Sequence, residues 1–222
     1  MLVRYSPAIL VLTGASGTGK TTLIKDLEAM QVSGIACFNC DVIYHDLPEE
    51  IRKDGLIAQD AILSHWVSHV LDHNGIEVAV LDTQIRPHRA RALLSKREIA
   101  MTQIVLVECE QYERTKRLHG PRGEPELDTT QMENWAAYLR GQADALGLES
   151  INTSGVDRSA SAAQLLKLAE DLRARRDAAL ARHNKSLNRP VADSVSVLFA
   201  LDGCVVASRQ GVSDDLDYRS RR

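Results

Sequence analysis

Gly14-Ala15-Ser16-Gly17-Thr18-Gly19-Lys20-Thr21 follows the apolar run Ala8-Ile9-Leu10-Val11-Leu12 and leads into a helical pattern, Thr22-Leu23-Ile24-Lys25-Asp26-Leu27. Strand, glycine-rich turn and helix in that order are the context in which G-x-x-x-x-G-K-[ST] binds phosphate. Each residue type has a physical reason. Gly14, Gly17 and Gly19 let backbone N–H groups turn inward around an anion, where a Cβ would clash. The helix that follows adds unpaired N–H groups and the positive end of its dipole, so Ala15, Ser16, Thr18 and Thr22 belong to the same cradle. Lys20 can reach the β- and γ-phosphates, and the Thr21 hydroxyl can hold Mg²⁺. The stretch implies a nucleoside triphosphate, with ATP and Mg²⁺ as the expected cofactors.

The chain has 222 residues, enough for one α/β domain with a sizeable core and a short extension. Aromatic residues make up only 4%, which argues against base-stacking platforms for single-stranded nucleic acid. A net charge of −3 provides no general attraction to nucleic acid or to an anionic membrane. Neither a signal peptide nor an apolar run of membrane-spanning length is expected. Four cysteines, Cys37, Cys40, Cys109 and Cys204, fit a reduced, cytoplasmic protein. Cys37 and Cys40 form a lone C-x-x-C, but residues three apart on a strand point to opposite faces, so packing is expected rather than ligation.

Further strands are expected over Gly34 to Asn39, Glu77 to Asp82, Gln103 to Val107 and Leu148 to Asn152. Helices are expected over Thr21 to Met30, after Pro48, over Ile57 to His73, after Pro87, over Gln111 to Leu118, from Asp128 to Gly147 and over Ala160 to Ala181. Asp128 with Gln131 three residues on reads as a capping box for the helix before Gly147. His65, His69 and His73 lie one turn apart along the margin of an apolar helix face, lining a pocket or solvent. Strands alternating with helices predict a five-stranded parallel sheet covered on both faces, with ligands at the carboxyl ends of the strands. Thr13-Gly14, Asp41 and Asp82 end the first three strands and are expected around one cleft. Two segments are predicted: an α/β domain over 1–182 and an extension over 183–222. In the extension, Asp202-Gly203 between apolar runs signals a hairpin, with disorder as the alternative.

A phosphate loop alone does not choose a reaction. Motor and AAA-type ATPases usually place Glu directly after the terminal Asp of the third strand; here Thr83 and Gln84 follow Asp82. Asp82 can still organise Mg²⁺. Gln84 could orient water as in a nucleotide switch, but no guanine-reading N-K-x-D motif accompanies it.

With these motifs in place, the chain resembles the P-loop small-molecule kinases: adenylate kinase and its relatives, shikimate and gluconate kinases, and chloramphenicol phosphotransferase. The resemblance spans about Ala8 to Ser154, and the region of Trp135 and Tyr138 is also similar to uncharacterised bacterial ATPase-like proteins. It implies a P-loop NTPase three-layer α/β sandwich with a short lid, transferring the γ-phosphoryl group of ATP to a small hydroxyl- or phosphate-bearing acceptor. Leu81-Asp82-Thr83-Gln84-Ile85-Arg86-Pro87 looks like the adenylate kinase D-G-F-P-R segment, although the Gly is absent and the Pro has moved. That would make Arg86 an acceptor-side contact. Asp41 stands where several members carry the acid that accepts the acceptor's proton, with Asp46 as a second candidate. Arg114, Arg117 and Arg122 resemble the R-x-x-R and lid region, where arginines close over the triphosphate; Arg122, in the Gly/Pro loop, is the expected catalytic cation, and Arg117 a nucleotide contact. Ile151 to Ser154 corresponds to the strand end where relatives lay the adenine. The alternative is a nucleotide-dependent ATPase or switch acting on a macromolecular partner.

Overall fold

All six residues of β1 (Ala8–Thr13) are withdrawn from solvent, and their side chains alternate between two separate cores. Ala8, Leu10 and Leu12 join one apolar cluster, Ile9 and Val11 the other. A strand with both faces apolar needs a layer on each side, and the rest of the chain supplies them. The computed structural model describes residues 7–97, 99, 101–187, 197–199 and 205–207.

The chain continues through α1 (Lys20–Ala29), β2 (Ile35–Asn39), the short α2 (Asp41–Tyr44) and α3 (Glu49–Lys53), α4 (Gly55–Asp72), β3 (Val78–Asp82), α5 (Pro87–Leu94), β4 (Met101–Glu108), α6 (Gln111–His119), a 3-10 turn at Pro125–Leu127, α7 (Thr130–Leu146), β5 (Glu149–Asn152) and α8 (Arg158–Leu187). The five strands form one parallel sheet in the order β2-β3-β1-β4-β5. Leu23, Ile24 and Leu27 of α1 and Leu165, Leu168 and Leu172 of α8 cover one face. Leu63, Val67 and Val70 of α4 and Ala90 and Leu94 of α5 cover the other. Leu139 and Ala143 of α7 close a smaller cluster with Leu106. This is a three-layer α/β sandwich. Because β3 and β4 flank β1, successive connections leave the centre in opposite directions, which opens a crevice at the strands' carboxyl ends.

Several element boundaries differ from the sequence reading. Asp54 both ends α3 and caps α4, its Oδ1 accepting from the N–H groups of Leu56 at 2.9 Å and Ile57 at 3.2 Å. Thr129, not Asp128, caps α7, accepting from the Met132 N–H at 3.1 Å. Asp128 is engaged instead by the Thr115 hydroxyl and the His119 ring, each at 3.0 Å, so it anchors the loop to α6. α8 runs on to Leu187, since no proline interrupts the chain before Pro190.

The chain divides into two compact units, 1–181 and 182–222. In the second, β6 (Val197–Phe199) and β7 (Val205–Ala207) pair antiparallel, with Leu198 opposite Val206. The Asp202-Gly203 turn lies outside the described residues.

Candidate active site at the carboxyl ends of the strands

The glycine-rich loop is shaped by what surrounds it. Gly17 has φ +82°, and a Cβ there would lie 2.6 Å from Cγ of Arg114. At Gly14 a Cβ would run into the Val107 carbonyl oxygen. The loop therefore wraps tightly between β4 and α6, and only glycine permits it. Ser16, Thr18 and Lys20 are buried, an unusual run of polar groups beneath a turn.

Lys20 Nζ donates to the carbonyls of Gly14 at 2.9 Å and Ala15 at 3.1 Å, so the ammonium lies across the mouth of the loop. The Thr18 hydroxyl donates to the Ala15 carbonyl at 2.9 Å. At the start of α1 the Thr21 hydroxyl donates to Oδ2 of Asp82 at 2.7 Å. Asp82 is 5% exposed. Two oxygen donors converging here, one of them a buried carboxylate, are the donor set a hard divalent cation prefers, and the glycine loop beside them is a cradle a Cβ would fill. The residues fit ATP and Mg²⁺. Thr13 and Thr83 brace this corner: Thr13 Oγ1 donates to the Ile85 carbonyl at 2.6 Å, and Thr83 Oγ1 to that of Leu12 at 2.9 Å.

Arg117 and Arg114, one turn apart on α6, have different surroundings. The Arg117 guanidinium donates to Oγ1 of Thr153 at 2.8 Å and to its carbonyl at 2.7 Å, and the Thr153 hydroxyl in turn donates to the Thr18 carbonyl at 2.9 Å. Loop, α6 and the end of β5 are thereby tied together. Gly19, Thr22, Arg117, Thr153 and Val156 line a small cavity there of about 200 Å³. Arg114 is buried beneath Gly17 and ion-paired with Glu133 of α7. Burial pushes its pKa down from the ordinary arginine value.

A larger cavity, about 680 Å³, opens beside the loop. One wall carries Ser16, Lys20, Thr21, Asp82 and Gln84. A second is the segment after α6, with Arg122, Glu124, Glu126 and Leu127, joined by Met132 of α7. Cys40, Tyr44 and His45 around α2, with Ala58, Gln59 and Ile62 of α4, complete it. Of the site residues expected from sequence, Ser16, Lys20, Thr21, Asp82 and Arg122 are brought to one cavity. Arg122 is ion-paired with Glu124 two residues on. Asp41 is the first residue of α2, directly after Cys40 of the cavity wall, and Asp46 is exposed beyond that helix.

Arg86 is placed elsewhere. Its guanidinium lies 5.5 Å from the Trp135 ring centre and 5.2 Å from that of Tyr138, two rings stacked at 5.5 Å. A guanidinium on stacked aromatic faces ties α5 to α7 by cation–π attraction, and Arg86 is not among the residues lining the cavity. Gln59, Tyr44 and Met132 are cavity residues the sequence reading missed. Gln59 alone left a trace, as an amide in the otherwise apolar stretch from Leu56 to Leu63 that Asp60 also interrupts.

No protein-family model matches the chain, and no curated protein sequence does so. Solved structures do. A gluconokinase from Sinorhizobium meliloti 1021 matches with a TM-score of 0.55 at 18% identity, over 76% of this chain and 97% of that one. The Deinococcus radiodurans tunicamycin resistance protein matches with a TM-score of 0.54 at 18% identity, over 73% of this chain and 95% of that one. The chain has the fold of the P-loop small-molecule kinases. In that fold the cavity of Lys20 and Asp82 sits where the sheet's topology puts a ligand, at the carboxyl ends of β1 and β3. Among the described residues no helix is long and apolar enough to cross a membrane.

Proposed function

We propose that the protein is an ATP- and Mg²⁺-dependent phosphotransferase acting on a small molecule in the cytoplasm. The observation that carries this reading is the continuity of one cavity, from Lys20, Thr21 and Asp82 to the acceptor-sized space walled by Tyr44, Gln59 and Met132. ATP bound with Mg²⁺ supplies the transferable phosphoryl group. The chain's own residues do the rest. The loop amides of Gly14 to Gly19 and the Lys20 ammonium hold phosphate oxygens and balance their charge. Thr21 and Asp82 present oxygen ligands to the cation. Arg117, held by Thr153, keeps the small cavity beside Gly19 in shape for the nucleoside. Arg122 brings its cation to the acceptor space, and Asp41, which follows Cys40 of the cavity wall in the chain, is the proposed base. The segment after α6 that carries Arg122 is the lid in this reading, and its closure would keep water from competing with the acceptor hydroxyl.

Coupled ADP release with ATP·Mg²⁺ across a panel of acceptors tests the proposal. Stimulation by one chemical class that is lost in Lys20→Ala supports it. Turnover indifferent to every acceptor would favour the ATPase or switch alternative.

A further inference from the structure

The acceptor half of the large cavity has a charge balance that restricts what can enter. Two arginine or lysine side chains line the whole cavity, and both are engaged. Lys20 lies on the loop carbonyls, and Arg122 is ion-paired with Glu124. Glu126 adds a second carboxylate on the same wall. The arginine that the sequence pattern would assign to an anionic acceptor, Arg86, has its charge placed over Trp135 and Tyr138. Ile62, Leu127 and Met132 give the space an apolar side. Gln59 lines the same wall, and its Oε1 is buried with no hydrogen-bond partner. An acceptor atom left unsatisfied is costly unless a donor arrives to meet it.

We propose that the acceptor is a hydroxyl compound without negative charge and with a partly apolar body. The whole cavity measures about 680 Å³ and takes the phosphate end of the nucleotide as well, so the acceptor is a small molecule. Nucleoside monophosphates and sugar acids are disfavoured, because the Arg122–Glu124 pair is balanced and Glu126 leaves that wall one negative charge. The inference rests on the phosphotransfer reading for its term "acceptor", but the charge preference of the cavity can be measured without it.

The test has two arms on the full chain. In the first, ADP release is compared between matched pairs: a nucleoside against its monophosphate, and a sugar against its sugar acid. The uncharged member of the active pair should have a kcat/KM at least about tenfold higher, as one uncompensated like-charge contact of roughly 1.4 kcal/mol requires. In Glu124→Gln/Glu126→Gln that ratio should fall. Preference for the anionic member would overturn the inference and leave phosphotransfer standing. In the second arm, the four native cysteines are replaced and Met132→Cys supplies a single thiol on the wall. Cationic and anionic methanethiosulfonates are compared, each normalised to a free thiol. Faster reaction with the cationic reagent supports the inference even where no acceptor in the panel is phosphorylated, a result that would count against phosphotransfer alone. Faster reaction with the anionic reagent overturns it.

Discussion

The Thr21 hydroxyl and the Asp82 carboxylate meet at 2.7 Å although 61 residues separate them in the chain. β1 and β3 are neighbours in the sheet, with Leu12 opposite Asp82, so the start of α1 and the end of β3 face each other by construction. Asp82→Asn keeps the shape and removes the charge. Under the phosphotransfer reading it should lower kcat/KM by about 100-fold or more, with a raised Mg²⁺ requirement. Steady-state ADP release over a Mg²⁺ titration measures this, and wild-type Mg²⁺ dependence in the variant would exclude the role.

Gly17→Ala should damage the loop without touching a ligand. The positive φ and the 2.6 Å approach to the Arg114 side chain together should cost about 1–3 kcal/mol. A thermal melt should show a drop of several degrees; an unchanged melting temperature would mean that the loop does not pack tightly on Arg114.

Arg114 holds the loop from below. Removing its partner in Glu133→Ala leaves a guanidinium buried beneath the loop, at a cost of about 3 kcal/mol. Replacing both partners with apolar residues, Arg114→Met with Glu133→Leu, should recover most of that loss in urea denaturation. A double variant as unstable as the single one would contradict the ion-pair account.

Cys37 should be a poor nucleophile. Burial, and then the nearby negative charge of Glu28, push its thiol up to about 12. Native protein at pH 8 should be alkylated slowly at this position and rapidly once unfolded, as peptide mass mapping would show. A thiol pKa higher in the folded than in the unfolded chain also fixes the sign of the linkage. Its contribution to stability is complete below about pH 9, where both states are protonated, and is lost as pH rises towards 12. Cys37 is half-buried, so rapid native alkylation would contradict the raised pKa rather than the fold.

The parts legible in the sequence were those where one local signal sufficed. The β1 run, the glycine spacing and Lys20-Thr21 announce strand, loop and helix, and Asp82 at the end of an apolar run announces the edge of a cleft. The strand order β2-β3-β1-β4-β5 is not written locally, because it depends on which helices cover which face. Arg114 and Arg117 share one helix spacing but not one environment: Gly17 and Glu133 draw the first into the interior, and Thr153 holds the second at the rim. Arg86 has the right distance from Asp82 for an acceptor contact, yet the Trp135–Tyr138 stack engages it from a helix some fifty residues on. Gln59 left a trace as an amide in an apolar stretch, but its place on the cavity wall depends on how α4 packs against the loop.

The most direct test of the central claim follows the γ-phosphoryl group itself. Wild-type protein and Lys20→Ala are incubated with γ-labelled ATP, Mg²⁺ and the acceptor that most stimulates ADP release, and the label is traced by chromatography. Label on the acceptor, in step with ADP and lost in Lys20→Ala while that variant melts as the wild type does, is the predicted result. Label recovered only as inorganic phosphate, or transfer undiminished without Lys20, would contradict the account.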